Sequence, residues 1–285
     1  MIPAPFEYVR AGSVEEAVAA LARYGDDAKV LAGGHSLLPL MKLRLAAPAV
    51  LVDVGRIDAL KGVREEGDRI VVGAATTHAA VMKDALVQRH CGVLAHVTAE
   101  VGDPQVRHRG TLGGALAHGD AAGDLPACAL ALDAEFTARG PGGERIIAAI
   151  DFFVDYLETA LRPDEVLVTV SFPKLGTGWS WNYQKFNRVA QAWAIVGSLA
   201  VVARVNGTIS QARVGLTNMG SVPIRPSAVE AALAGQGTDA IAAAAARADE
   251  GTSPPADLNA QPDYRRHLAR VLTRRALERA VGSPD

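Results

Sequence analysis

Two pairs of adjacent glycines constrain this chain more than any other feature of its sequence. Ala32-Gly33-Gly34-His35-Ser36 follows a short apolar run, and Thr111-Leu112-Gly113-Gly114-Ala115 forms the second pair. Glycine adopts positive φ and lets backbones approach closely, so consecutive N–H groups in such turns can converge on an anion. Ser36 and Thr111 place hydroxyl donors beside those amides. The pattern predicts two loops that bind a diphosphate, and a tight turn without a ligand stays the alternative for each pair.

The absent side chains are expected to leave space for the ligand. A hydrogen bond to a charged acceptor contributes about 1.5 to 3 kcal/mol, so two such loops can hold a dinucleotide without a covalent bond. We therefore expect a valine at Gly33 or Gly113 to occupy the path of the diphosphate in a chain that still folds.

The first half of the chain alternates between helical and strand patterns. A capping box at Ser13 starts a helix that ends at Gly25, and short β-rich runs precede and follow the first glycine pair. A threonine at 76 or 77 is expected to cap a helix that continues through Leu86. This alternation predicts a mixed α/β fold.

A different pattern starts after Gly176-Thr177-Gly178, which we take as the domain boundary. Asn206-Gly207 joins two β-rich runs and is a strong hairpin signal. Helices are expected near Pro226, at a first-turn position, near Asp239, and from Tyr264 to Val281. The sequence therefore predicts domains at residues 1–176 and 177–285.

Composition excludes several classes of protein. The 285 residues are 49% hydrophobic and 21% charged, as in globular proteins, and the net charge of -2 provides no general attraction to nucleic acid. Cys91 and Cys128 are too few for a disulfide framework or for the four thiolates of an iron-sulfur cluster. We find neither a signal peptide nor an apolar run long enough to span a bilayer, and we expect a cytoplasmic protein.

The glycine segments resemble the two FAD loops of xanthine dehydrogenase-type flavoprotein subunits, which belong to molybdenum hydroxylases. The resemblance extends from Ala32 to Lys42 and from Thr111 to Pro126, and Asp103-Pro104-Gln105 and Gly215 to Asn218 carry it over nearly the whole chain. The histidine of the first loop and the opening Ile2 to Tyr8 most resemble medium chains of aerobic carbon monoxide dehydrogenases.

This resemblance implies an α+β fold in which two α/β subdomains form a PCMH-type FAD-binding domain, followed by a small domain of antiparallel strands and helices. It also implies that Lys29 to Leu37 wrap the diphosphate of noncovalently bound FAD, while the second loop closes over it. The residues expected to contact the cofactor are Lys29, Val30, Leu31, Ala32, Gly33, Gly34, His35, Ser36, Leu37, Val101, Thr111, Gly113, Gly114, Asp124, Leu167 and Lys185.

The implied activity is electron transfer in an oxidoreductase. FAD accepts electrons singly or in pairs, so it can join a [2Fe-2S] chain to a two-electron acceptor such as a quinone or NAD. Molybdopterin and the [2Fe-2S] clusters are expected in separate partner subunits, which gives a heterotrimer that is itself doubled. No catalytic side chain and no metal ligand are expected here, and the substrate belongs to the molybdenum subunit.

Four other interpretations compete with this one. Gly34-His35-Ser36 is similar to the nucleophile turn of serine hydrolases, but Leu38 stands where the second glycine belongs. His108, His118, Asp120 and Asp124 cluster around the second loop without a known metal-binding spacing. Gly235-Gln236-Gly237 matches a loose dinucleotide pattern but follows a helical stretch. A scaffold protein without flavin is the remaining alternative.

Two positions and one set of arginines carry open interpretations. Ala115 stands where members of the family often have asparagine, which removes one side-chain hydrogen bond. Trp193 lies where relatives place an aromatic residue near the flavin, and a buried core tryptophan is the alternative. The arginines of the last helix, from Arg265 to Arg279, indicate a solvated face or a surface that contacts a partner.

Overall fold

A small parallel sheet carries the first glycine loop. A computed structural model of the chain describes residues 2–282, and it begins with β1 (Glu7–Arg10), α1 (Val14–Tyr24), β2 (Ala28–Leu31) and β3 (Val50–Asp53). The strands pair in the order β1-β3-β2, all parallel. The Ser13 hydroxyl caps α1 as predicted, by accepting from the Glu16 amide at 3.2 Å. The Glu16 carboxylate accepts from the Gly12 amide at 2.7 Å, one residue before the N-cap amide that a capping box uses. One face of α1 packs against the sheet through its apolar side chains.

A five-stranded antiparallel sheet forms the centre of the molecule. Its order is β4 (Val63–Glu66), β5 (Arg69–Gly73), β10 (Val166–Pro173), β6 (Glu135–Gly140) and β7 (Gly143–Ala148). The remaining elements of this half are α2 (Leu37–Lys42), α3 (His78–Lys83), α4 (Ala85–His90), α5 (Gly92–Ala99), α6 (Pro104–Arg109), α7 (Leu112–Ala117), α8 (Asp124–Ala131), α9 (Ala149–Phe152), β8 (Phe153–Asp155) and β9 (Glu158–Thr159). The largest core cluster includes the stacked rings of Phe136 and Phe152, 3.7 Å apart.

The C-terminal part is an antiparallel sheet covered by helices. It contains β11 (Trp179–Phe186), β12 (Val196–Val205), β13 (Thr208–Thr217), α10 (Ser227–Leu233), α11 (Ile241–Ala245) and α12 (Pro262–Gly282). The predicted hairpin is present, with φ of 52° at Asn206 and 82° at Gly207. Pro226 lies at the N-cap of α10, one position before the predicted first turn.

The two faces of the C-terminal sheet belong to different cores. Side chains alternate along a strand, so Leu199 and Val201 of β12 join the central core while Ala200 and Val202 join the core under α12. A Cβ at Gly215 of β13 would lie 2.4 Å from the carbonyl oxygen of Ala127 in α8. This close approach places β13 directly against α8 of the N-terminal half.

The predicted mixed α/β architecture is confirmed, and one predicted helix is wrong. The helix expected from the threonines at 76 and 77 through Leu86 ends at Lys83, because the Asp84 carboxylate accepts from the amides of Leu86 and Val87 and starts α4. The predicted boundary at Gly176 to Gly178 lies between β10 and β11 and stays a prediction. Among residues 2–282, none of the helices combines the length and apolar character needed to cross a bilayer.

The last helix is only partly solvated. Its apolar face packs on the C-terminal sheet, and Arg265 is fully buried in that interface. The Arg265 guanidinium donates to the Ile195 carbonyl, and its Nη2 lies 2.7 Å from the Asp257 carboxylate without the alignment of a hydrogen bond. The interpretation of Arg265 as part of a solvated or partner-binding face is therefore wrong, since its charge anchors α12 to the start of β12.

We expect Arg265→Ala to lower the free energy of unfolding of the protein by about 2 to 3 kcal/mol, because a buried hydrogen bond and an ion pair are lost. Arg266→Ala is the matched control, since Arg266 is partly exposed and pairs with the exposed Asp263. Such a surface pair contributes less than about 1 kcal/mol. Urea denaturation of both variants measures the difference, and equal midpoints would contradict the assigned role of Arg265.

Candidate functional site

One large cavity lies where the two glycine loops meet. Its volume is about 710 Å³, within the range of roughly 300 to 1,000 Å³ that small-molecule and cofactor sites occupy. The first loop, the segment from Gly110 to His118, the start of α8, and residues 157–163 form its walls, and residues 191–193 complete them. The cavity therefore draws its lining from both halves of the chain.

The first loop connects the end of β2 to α2. Gly34 adopts φ of 77°, and its carbonyl accepts from the Leu38 amide at 3.0 Å, so the chain reverses within a few residues. Ser36 is the N-cap of α2, but its side chain makes no capping hydrogen bond. The Ser36 hydroxyl is thus left for a ligand in the cavity that it lines.

The second loop is fixed by Thr111. Its hydroxyl caps α7 by accepting from the Gly114 amide at 3.1 Å, and its backbone bridges to Thr77. A hydroxyl that accepts one hydrogen bond still has its own proton to donate. Thr111 and Gly114 both line the cavity, so an anion there meets a hydroxyl donor and the first turn of α7.

The two loops touch through their backbones. A Cβ at Gly33 would lie 2.3 Å from the Arg109 carbonyl oxygen, and a Cβ at Gly113 would lie 2.4 Å from the Ala74 side chain. The missing side chains therefore make room for neighbouring protein atoms. Our expectation that a side chain at either glycine enters the path of the diphosphate is wrong, because both Cβ positions point into the protein.

An ion pair lies in the wall of the cavity. Lys185 Nζ and Asp124 Oδ2 are 2.8 Å apart, and both side chains are almost completely buried. Burial raises the pKa of Asp124, and the Lys185 ammonium and the Tyr183 hydroxyl oppose that rise by stabilising the carboxylate. Asp124 lies in α8 and Lys185 in β11, so this ion pair connects the two halves of the molecule.

His78 is a buried polar group that the protein leaves incomplete. It lies at the start of α3, it lines the cavity, and its Nδ1 has no hydrogen-bond partner within the described part of the chain. Burial, assisted by the positive charge of Arg107, lowers its pKa to about 4. A buried nitrogen without a hydrogen-bond partner lowers the stability of the folded chain by about 1 to 3 kcal/mol. A polar ligand that formed a hydrogen bond with this nitrogen would remove that cost.

Nearly all of the predicted contact residues lie together. Residues 29–37, Val101, Thr111, Gly114, Asp124 and Lys185 line the cavity. Gly113 and Leu167 do not line it: Gly113 packs on Ala74, and Leu167 lies in the central core. Their direct contact with a cofactor stays a prediction that the cavity wall does not support.

Several wall residues were missed by sequence reasoning. The segment 157–163, which includes β9, lines the cavity, as do His78, Gly102 and Gln191. No local motif marks these positions, because long-range packing brings them to the site. Trp193 also lines the cavity and is 57% exposed, so the alternative of a buried core tryptophan is wrong.

The alternative sites, a serine hydrolase turn and a metal site, lack part of the geometry that their chemistry requires. Ser36 starts a helix, as a hydrolase nucleophile does, but Leu38 packs against Gly34 where the second glycine of that turn belongs. Among residues 2–282, no group of three or more histidine, cysteine or acidic side chains is placed to hold a metal ion. His118 and Asp120 are instead part of the cavity wall.

Comparison with known proteins gives consistent matches over the full length. The family model described as "FAD binding domain in molybdopterin dehydrogenase" matches residues 4–175, and "CO dehydrogenase flavoprotein C-terminal domain" matches residues 181–280. The chain is 41% identical over 282 residues to the carbon monoxide dehydrogenase medium chain of Hydrogenophaga pseudoflava, covering 98% of each. It is 37% identical over 284 residues to subunit alpha of the 6-hydroxypseudooxynicotine dehydrogenase complex of Paenarthrobacter nicotinovorans, covering 99% of this chain and 96% of the relative.

A solved structure shows the same fold. Carbon monoxide dehydrogenase from Hydrogenophaga pseudoflava, in a form that lacks the Mo-pyranopterin moiety of the molybdenum cofactor, contains a chain that superimposes with a TM-score of 0.97. The two chains are 43% identical, and the match covers 99% of each.

We expect Gly33→Ala to separate the two loops and to weaken FAD binding at least tenfold, roughly the loss of one charge-assisted hydrogen bond. The added methyl group would meet the Arg109 backbone, which cannot yield as a flexible side chain does. Gly142→Ala is the matched control, since a Cβ there has no neighbour within 4 Å. Titration with FAD and thermal unfolding measure both effects, and wild-type affinity in Gly33→Ala would disprove the contact.

The lowered pKa of His78 indicates that the folded chain loses stability in acid. Its pKa is about 4 in the folded chain and 6.5 as the ordinary value, so between these values the unfolded chain binds a proton that the folded chain does not. Stability of the cofactor-free chain is therefore expected to fall by about 3 kcal/mol as the pH drops from 6.5 to 4, and to be insensitive to this group above 6.5. His78→Gln should reduce that slope, with His267→Gln at an exposed position as the control, in urea titrations at several pH values.

Proposed function

Since the chain belongs to the family of FAD-binding medium subunits of molybdenum-containing dehydrogenases, we propose that it takes electrons from a [2Fe-2S] partner subunit and passes them to an external acceptor. The chain is an oxidoreductase flavoprotein subunit whose cofactor is FAD. Its relatives are medium subunits of multi-subunit molybdenum enzymes.

The contact between the two glycine loops is the observation that supports the proposal most. The close approach of Gly33 to the Arg109 carbonyl brings both loops to one cavity. Backbone amides of both loops, with the hydroxyls of Ser36 and Thr111, can then bind the diphosphate of one dinucleotide from two sides. We infer that residues 29–37, Thr111 and Gly114 hold this part of FAD.

The remaining wall residues are proposed to orient the cofactor. Asp124 and Lys185 supply a carboxylate and an ammonium at a buried position, where neither is screened by water. Trp193 presents an exposed aromatic ring at the cavity, which suits stacking on a planar ring system. FAD, when bound, supplies the exchange between single electrons and electron pairs.

Among substrates, carbon monoxide is favoured by the matches in sequence and structure. Relatives that act on other compounds are nearly as similar, since a 6-hydroxypseudooxynicotine dehydrogenase subunit is 37% identical. The substrate site lies in the proposed molybdenum subunit, and the acceptor is a quinone or NAD. We also propose a heterotrimer that is doubled in the assembled enzyme, and a cytoplasmic location, which the free and buried state of Cys91 and Cys128 supports.

We expect the complex, purified after coexpression with its molybdopterin and [2Fe-2S] subunits, to contain one FAD per copy of this chain. Anaerobic addition of carbon monoxide should bleach the flavin absorption, and a preparation without the [2Fe-2S] subunit should stay oxidised. Acid extraction identifies the cofactor, and sedimentation gives the stoichiometry of the assembly. Absence of FAD from the complex would refute the assignment, whereas flavin reduction without the [2Fe-2S] subunit would refute the electron route.

A further inference from the structure

Tyr183 is buried behind the cavity wall and reaches the cofactor site through one carboxylate. Its hydroxyl donates to Asp124 Oδ1 at 2.6 Å, while Lys185 Nζ contacts Asp124 Oδ2 at 2.8 Å. Tyr183 and Lys185 are two positions apart in β11, so their side chains extend from the same face of the strand. Asp124 is therefore held at both of its oxygens by one strand of the C-terminal sheet.

The fold makes specific room for this hydroxyl. Gly197 of β12 pairs with Lys185 in the sheet, and a Cβ at Gly197 would lie 2.5 Å from the Tyr183 hydroxyl oxygen. Burial and the neighbouring Asp124 raise the pKa of Tyr183 well above its usual value, so the hydroxyl keeps its proton and acts as the donor. The direction of the hydrogen bond, from Tyr183 to Asp124, is thereby fixed.

Lys185 has one donor more than its protein partners use in the described residues. An ammonium carries three N–H groups, and those of Lys185 meet Asp124 Oδ2 and, at 3.0 Å, the Glu100 carbonyl. Lys185 and Asp124 line the cavity, whereas Tyr183 does not. The third N–H of Lys185 is consequently available to an acceptor inside the cavity.

We propose that Tyr183 is a positioning residue for FAD: by binding one oxygen of Asp124, it leaves the other to Lys185 and so directs the third N–H of Lys185 to the cofactor. This inference rests on the proposed function, because it requires FAD in the cavity. Without the Tyr183 hydroxyl, the Asp124 carboxylate can rotate and is more easily protonated in its buried setting. Lys185 then loses the partner that orients it.

The charges around Asp124 determine how this link responds to pH. Lys185 and Tyr183 stabilise the carboxylate, while burial and Glu100 destabilise it. The negative charge of Asp124 in turn contributes to the raised pKa of the Cys128 thiol. Removing one hydrogen bond to the carboxylate raises the pKa of Asp124 further. Protonation of Asp124 should then release Lys185 at a higher pH than in the wild-type protein.

The test is FAD affinity in the assembled complex, measured as a function of pH from the acid range in which carboxyl groups titrate to mildly alkaline pH. We expect Tyr183→Phe to weaken FAD binding about tenfold, the usual size of one lost charge-assisted hydrogen bond, and to move the acid limb of the affinity profile to higher pH. Lys185→Met should weaken binding by a similar factor, and the double variant should lose no more than Lys185→Met alone.

Tyr8→Phe is the matched control, because it removes the same kind of hydrogen bond, from Tyr8 to Asp53, at an exposed position outside the cavity wall. It should leave both the affinity and the pH profile unchanged. If Tyr183→Phe fails to assemble, Asp124→Asn tests the link through which Tyr183 acts, since the neutral carboxamide offers one acceptor oxygen to both Tyr183 and Lys185 and forms no ion pair with the ammonium. That variant should weaken FAD binding and abolish the acid limb.

The outcomes separate this inference from the proposed function. Losses that add up in the Tyr183→Phe, Lys185→Met double variant, or an unchanged pH profile in a complex that binds FAD, would overturn the role of Tyr183 and leave the flavoprotein assignment intact. A wild-type complex that binds no FAD would overturn both.

Discussion

The close contact between two backbones, Gly33 of the first loop and Arg109 to Gly110 before the second, is the constraint on which the cofactor site depends. Each loop belongs to a different layer: the first extends from the parallel sheet, and the second caps α7 beside the central sheet. Neither loop encloses a dinucleotide alone. Their contact brings both loops into the wall of one cavity, and a methyl group at Gly33 would collide with the Arg109 carbonyl at this contact.

This constraint gives the glycines a role different from the one that their motif suggests. In a diphosphate loop, glycine is usually explained by the approach of the ligand. Here the Cβ positions of Gly33 and Gly113 point at the Arg109 carbonyl and at Ala74, so protein packing determines the residue type. Gly34 is different, because its φ of 77° is a conformation that other residues rarely adopt. Two neighbouring glycines are thus required for two separate reasons, and the sequence motif does not distinguish them.

The parts of the fold that were predictable are those with local causes. Three features depend only on residues within a few positions of each other: the Asn206-Gly207 hairpin, the helix cap at Ser13 and the strand before Gly33. The cavity wall from 157 to 163, the exposure of Trp193 and the burial of Arg265 depend on contacts between distant segments. Arg265 shows the limit most clearly, since nothing in its sequence neighbourhood separates it from Arg266, yet one is buried and the other is partly exposed. Resemblance to a family supplied the site residues that local chemistry did not.

The C-terminal sheet contributes more than support, because its strand β11 places charge at the cavity. Lys185 comes from this sheet and Asp124 from α8, so their ion pair crosses the contact between the two halves of the chain. A ligand that binds only the folded arrangement stabilises it in proportion to its affinity and concentration. In the proposed binding mode, FAD contacts the glycine loops on one side and Lys185 on the other, so its binding would stabilise the packing of β11 against α8 as well as its own site. The opposite face of the same sheet is held by α12 through Arg265, whose hydrogen bond to Ile195 lies just beyond Trp193. Arg265 thereby fixes the backbone two residues after Trp193 of the cavity wall, although no residue of the last helix lines the cavity.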